Sequence, residues 1–115
     1  MKEDLIYKDN LIEIGDDSIK LKHYYLPFIS KKILFTNIEE IETKELPFMG
    51  WQFYGIGVIE GFITWLPFDP FRPTRDRIFI ITIKDQRIRS GFTVENSDEV
   101  ENLLVEKDWL LKIFS

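Results

Sequence analysis

The sequence predicts a mostly β domain closed by one C-terminal α-helix, and three observations carry that expectation. Several short segments alternate apolar and polar residues with the two-residue period of a half-buried strand, most clearly in Ser18–Tyr24 and across Arg77–Val94. After Asn96 the period changes to the three-and-four spacing of an amphipathic helix. Between them, Leu46 to Phe71 (LPFMGWQFYGIGVIEGFITWLPFDPF) holds eight of the seventeen aromatic residues, and Glu60 is the only charge between Leu46 and Phe68.

Taken in order, Asp9-Asn10 is a turn dipeptide between LIYK and LIEI. A turn centred there sets Tyr7 opposite Ile12 and Leu5 opposite Ile14. Gly15-Asp16-Asp17 leads into the next strand, where Ile19, Leu21 and His23 share one face and Lys20 and Lys22 the other. Pro27 breaks it or confines it to an edge. Phe28 to Lys32 reads as a loop, and Lys32 to Ile41 as extended chain. There the spacing of Ile38 and Ile41 calls for a β-bulge near Glu39-Glu40, or for a short helical turn. In the aromatic stretch the glycines at 55, 57 and 61 predict a loop, then a strand from Gly61 to Leu66. Pro67, Pro70 and Pro73 punctuate an irregular connection.

The best-specified hairpin follows. A turn at Asp85-Gln86 pairs Ile83 with Ile88, Ile81 with Ser90, Phe79 with Phe92, and Arg77 with Val94. One face is then Phe79, Ile81, Ile83, Ile88, Phe92 and Val94; the other carries Ile78, Ile80, Thr82, Lys84, Arg87, Arg89 and Thr93. Asn96-x-x-Glu99 is a capping box, and Val100, Leu103, Leu104 and Leu111 form one helical stripe. The helix is expected over about 97–108, with Trp109 and Phe114 packing the tail back.

With 115 residues, a single domain spanning 1–115 is expected. The net charge of −5 argues against a nucleic-acid surface, which needs clustered cations. The absence of cysteine removes disulfides, thiol nucleophiles and thiolate metal sites. The N-terminus lacks the apolar run of a signal peptide, so a cytoplasmic location is the expectation. Leu46 to Phe68 is long enough to cross a bilayer as a helix. Glu60, four glycines and the β-favouring residues make strands the better reading.

Strands followed by one C-terminal amphipathic helix, together with SIKLKHYY, KKILFTNIEEIE, a glycine-aromatic loop and RIFIITIKDQRIRSGFTVENSDEVENLL, resemble bacterial pleckstrin-homology-like (PH-like) domains. The resemblance implies a bent antiparallel sandwich or partly open barrel capped by the helix, with an extra N-terminal strand pair at about 4–15. That N-terminal strand pair, like the tail after Trp109, is an addition outside the resemblance, which also implies a non-catalytic role in binding proteins, lipids or copies of the same chain. In eukaryotic members of the fold, basic residues near the first two strands bind phosphoinositides; here only Lys31 and Lys32, beside Lys20 and Lys22, occupy the equivalent place.

No catalytic, metal or cofactor constellation stands out. His23, the only histidine, lacks an evident nucleophile or further ligands and reads as a packed strand residue. Glu39, Glu40 and Glu42 read as a solvated strand face, and no calcium-loop spacing occurs. Gly55-x-Gly57 followed by Gly61 is not a nucleotide loop. Arg72, Arg75 and Arg77 suit phosphate or carboxylate, but the interleaved Asp69 and Asp76 make local pairing the preferred account. With Lys31 and Lys32 these arginines form the candidate anion or lipid-headgroup set.

The leading expectation rests on Trp51, Phe53, Tyr54, Trp65, Phe68 and Phe71. A domain of this size cannot easily bury all of them, and surplus aromatics on a surface mark contacts. The sequence therefore points to a non-enzymatic module that docks a protein partner or self-associates through 46–71. Peripheral membrane binding is a weaker alternative, disfavoured by the acidic net charge. A small-molecule carrier or an enzyme of unrecognised type is weaker still.

Overall fold

Strand pairing divides the chain into two sheets. The structure is a computed structural model that describes residues 5–26, 29–45, 54–59, 61–108 and 112–113. β1 (Leu5–Lys8), β2 (Ile12–Gly15), β3 (Ser18–Leu26) and β4 (Ile29–Leu34) form a sequential antiparallel meander. β5 (Ile38–Glu45), β6 (Gly55–Ile59), β7 (Phe62–Leu66), β8 (Arg77–Ile83), β9 (Arg89–Phe92) and β10 (Lys112–Ile113) form the second sheet, in the order β10-β5-β8-β9-β7-β6. In that sheet β7–β9 and β5–β10 pair parallel and the other pairs antiparallel. The helix α1 (Ser97–Glu106) follows β9. The result is a partly open β-sandwich with one C-terminal helix, in agreement with the predicted class.

The main core lies between the sheets. It gathers Ile14, Ile19 and Leu21 from the first sheet, Ile41, Phe79, Ile81 and Phe92 from the second, and Val100 and Leu104 from the helix. The β8–β9 register is the expected one, Phe79 opposite Phe92 and Ile81 opposite Ser90. The turn departs from expectation: Gln86 N donates to Ile83 O, which centres it on Lys84-Asp85. Asp85 adopts φ 61° there. The ladder consequently stops at Ser90–Ile81, Ile83 and Ile88 do not pair, and Ile88 is exposed. Arg77–Val94 also lies beyond the ladder. The helix is N-capped by Asn96 as expected, but the reciprocal half of the capping box does not form, because the Asn96 backbone N donates to Tyr7 Oη instead. Asn96 Oδ1 accepts from Glu99 N at 3.1 Å, and its Nδ2 donates back to Glu99 Oε1 at 3.3 Å, an arrangement worth about 1 kcal/mol to a helix.

Three further expectations are corrected. Asp9 Oδ1 accepts from Leu11 N and Ile12 N, and Asp9 N donates to Ile12 O, so the first turn centres on Asn10-Leu11. Tyr7 therefore faces Ile14, and Leu5 faces Gly15 across a bulge. In β3 the alternation fails at His23, whose φ of 57° lies in the left-handed region. The register slips between Leu21 and Leu26, and Tyr24 rather than His23 follows Leu21 inside. Ile29–Leu34, expected to begin as a loop, is strand, because its residues complete the pairing of β3. The bulge expected near Glu39-Glu40 is present between Ile38 and Glu40, preceded by a 3-10 turn at Phe35–Asn37.

The second sheet is covered on its reverse face too. Ile78 and Ile80, which the expected register puts on the face opposite the core set, are fully buried with Ile59 and Leu66 in a second small core. Gly91 permits this approach: a Cβ there would stand 2.9 Å from Leu66 Cδ2 and 3.0 Å from Thr64 Cγ2. Glu42, expected in water, is buried on the same face, with Arg89 Nη1 3.9 Å from its carboxylate. Arg89 Nη2 donates to Ile59 O at 2.8 Å, and its guanidinium lies 4.9 Å from the Phe62 ring. Gly55 and Gly57 belong to β6 rather than to a loop, and Gly61, at φ 83°, makes the β6–β7 turn.

Candidate interaction surface

Within the aromatic stretch, Gly55–Ile59 and Phe62–Leu66 pair as the β6–β7 hairpin, their β-branched and aromatic residues alternating around the Gly61 turn. Its two faces differ sharply. Gly57, Ile59, Thr64 and Leu66 point to the reverse face and are buried, and only Phe62, opposite Ile59 near the turn, is exposed on that side among the described residues. Ile56, Val58, Ile63 and Trp65 share the other face, and the first three are 57%, 69% and 47% exposed.

Register identifies which face that is. Trp65 sits beside Ser90 in β9, and Ser90 sits opposite Ile81 in β8. The Ile56–Val58–Ile63–Trp65 face is thus the continuation of the main-core face of the second sheet. Under β5, β8 and β9 that face packs in the main core with residues of the four-stranded first sheet. Under β7 it still meets the core at Trp65, and beyond that Ile56, Val58 and Ile63 are exposed, an overhang as far as the described residues go.

At the boundary, an aromatic row ties the sheets together. Trp65 Nε1 donates to Tyr24 O at 2.6 Å. The Tyr24 hydroxyl lies 2.8 Å from Ser90 Oγ; burial pushes its pKa up to about 12, with the Ser90 bond opposing. Tyr54 packs edge-on against Trp65 at 5.4 Å and against Phe68 at 6.4 Å, and its hydroxyl donates to Tyr25 O. The His23 bulge joins the same seam by accepting from Phe68 N.

Of the residues expected to dock a partner, Trp65 is half-buried in this row, Tyr54 and Phe68 are partly exposed beside it, and Phe71 is 62% exposed on the connection. Trp51 and Phe53 lie outside the described residues, as do Glu60, Trp109, Leu111 and Phe114. Ile56 belonged to the surplus apolar set read from the sequence, whereas Val58 and Ile63 were missed as candidates. Their alternation was legible, but the end of the covering sheet is a property of strand order.

The basic set is distributed differently. Lys31 donates to Gln86 Oε1 at 3.3 Å and stands 4.9 Å from the Tyr24 ring, where burial lowers its pKa. Lys32 is exposed on β4. Arg72 is buried beneath the connection, donating to Pro67 O at 2.6 Å, and burial pushes its pKa down to about 10. Arg75 forks onto Asp69, with Nε–Oδ2 3.0 Å and Nη2–Oδ1 3.2 Å. Arg77 bridges Asp76, Asp98 and Glu101, joining β8 to the helix. Local pairing thus accounts for Arg75 and Arg77, as the interleaved carboxylates suggested.

Comparison of the chain with protein-family models, with curated proteins and with solved structures found no match. The surface must be interpreted from its own chemistry. Among the described residues, no helix is long and apolar enough to cross a membrane, and the described part of Leu46–Phe71 is strand and connection.

Proposed function

We propose that this chain is a non-catalytic, PH-like interaction module that docks a protein surface, its own or another's, through the overhanging face of β6 and β7. The observation that carries this reading is the register: residues of core type continue two strands past the covering sheet. Polar residues would serve a face meant for water, yet Ile56, Val58 and Ile63 stand there. The element order, strands in two sheets and then a helix, supports the PH-like part of the proposal.

With Tyr54, Trp65 and Phe68 the strip exposes roughly 500 Å², near the upper end of the largest apolar patch on an ordinary monomer. Two such strips facing each other would bury about 1,000 Å², the size of a weak, specific contact.

Sedimentation velocity over a concentration series tests the self-docking form. The wild-type chain is expected to show a reversible dimer in the micromolar range, and the double substitution Val58→Lys, Ile63→Lys to abolish it. Both side chains are exposed, so folding should hold within about 0.5 kcal/mol. A wild-type chain that stays monomeric removes self-docking. If the lysine pair also leaves its partners in cell extract unchanged, the whole reading fails.

A further inference from the structure

Beside the aromatic row lies a cleft of about 230 Å³ where four separate segments converge: the β1–β2 turn, the His23 bulge, the Phe68–Arg75 connection and the approach to the helix. Leu11, Phe68 and Phe71 give it apolar walls, and both phenyl rings are exposed. Cofactor and drug-sized sites run from about 300 Å³ upward, so this volume suits one side chain rather than a whole small molecule.

The charges around it do not balance. Asp69 and Arg75 both line the cleft, joined by paired hydrogen bonds, and Asp69 also shares its charge with the buried Arg72 guanidinium. Glu95 forms an ion pair with none of these among the described residues. Asn10 donates to it twice, from N at 2.8 Å and from Nδ2 at 3.3 Å, which fixes the carboxylate at the mouth. Asp9 lies next to it, accepting from Glu95 N at 2.9 Å, from Tyr7 Oη and from two backbone amides. Neither carboxylate forms an ion pair among the described residues. The nearby Lys22 ammonium goes to Glu13 and to the Asp9 carbonyl instead.

A held carboxylate, a second one behind it, and the exposed Phe68 ring form a receptor for an organic cation with an apolar stem, while the Phe71 ring already carries the Arg75 guanidinium 5.9 Å from its centroid. We infer that the cleft takes a lysine or arginine side chain of a docking protein, the stem against Leu11 and Phe68 and the head at Glu95. This rests on the docking reading but has its own test.

The probes are n-butylguanidinium and n-butylammonium, with butyrate and n-butanol as controls of similar size, titrated into the full chain and followed by amide and side-chain NMR shifts. Saturable millimolar binding of the cations is expected, with shifts at Leu11, His23, Phe68, Phe71 and Glu95 and at least tenfold preference over both controls. Glu95→Gln, which keeps an oxygen for Asn10 N, should weaken cation binding at least fivefold without altering the unfolding midpoint. Equal binding of butanol, preferential binding of butyrate, no saturable shift with either cation, or indifference to Glu95→Gln would each overturn the proposal. A monomeric chain that still binds the cations would sink self-docking and leave the cleft standing.

Discussion

Asp69→Ala is expected to cost about 3–5 kcal/mol of folding stability, measured by urea denaturation at neutral pH. The side chain is 1% exposed and anchors the proline-punctuated connection to β9. Its oxygens accept from Arg75 Nε and Nη2, from Phe71 N and from Thr93 Oγ1. Its charge also offsets that of buried Arg72. Removing it takes the shared carboxylate away from Arg75 and from buried Arg72, and that lost charge compensation dominates the cost. Burial pushes the Asp69 carboxyl upward, but the Arg75, Thr93 and Phe71 hydrogen bonds and the Arg75 charge outweigh it and hold its pKa below the ordinary carboxylate value. The stabilisation is therefore complete above about pH 4 and fades as the pH falls through the lower folded-state value. The gap between wild type and Asp69→Asn should narrow below about pH 4. A gap that stays constant down to acid unfolding would show that Asp69 acts through shape alone.

Phe79→Ala should produce a loss of similar size, about 3–5 kcal/mol, for a different reason. Phe79 is fully buried and stacks on Phe92 with centroids 5.3 Å apart and planes 16° from parallel. This cross-strand pair sits where the two sheets meet, so truncation opens a cavity that neither sheet can close alone. Phe62→Ala offers the contrast. Its ring is 58% exposed on the hairpin, and it should cost much less than Phe79→Ala. Equal unfolding midpoints for the two variants would contradict the placement of the core.

The parts of this fold that were legible in the sequence are those where two local signals agreed. The Phe79–Phe92 register follows from alternation on both strands, and the helix start follows from Asn96, Glu99 and the stripe of Val100 and Leu104 together. Where one signal stood alone it misled. His23 continues the β3 alternation on paper, but nothing in its identity announces the left-handed φ that hands its place to Tyr24. Asp9-Asn10 looks like the middle of a turn, yet the Asp9 carboxylate closes a turn one residue later. Glu42 was assigned to solvent, and Ile78 and Ile80 to the face opposite the core set, because alternation alone cannot reveal that this face packs a small core of its own with Ile59 and Leu66. The candidate surface was half legible: an excess of aromatics was evident, but the overhang that exposes Ile56, Val58 and Ile63 is a relation between two sheets. The cleft was not legible at all, since Asn10, His23, Phe71 and Glu95 meet only through the fold.

The strand order also fixes how the chain can be assembled in time. β1 to β4 join by short neighbouring turns, whereas β5 must wait for β8, and β7 for β9. Closing those distant pairings carries an entropic cost before any contact repays it. An early meander with its oily side bare, later roofed by the other layer, is the sequence of events this topology favours. In pulse-labelled refolding, protection of β5 and β8 amides ahead of β2 and β3 would show that assembly runs the other way.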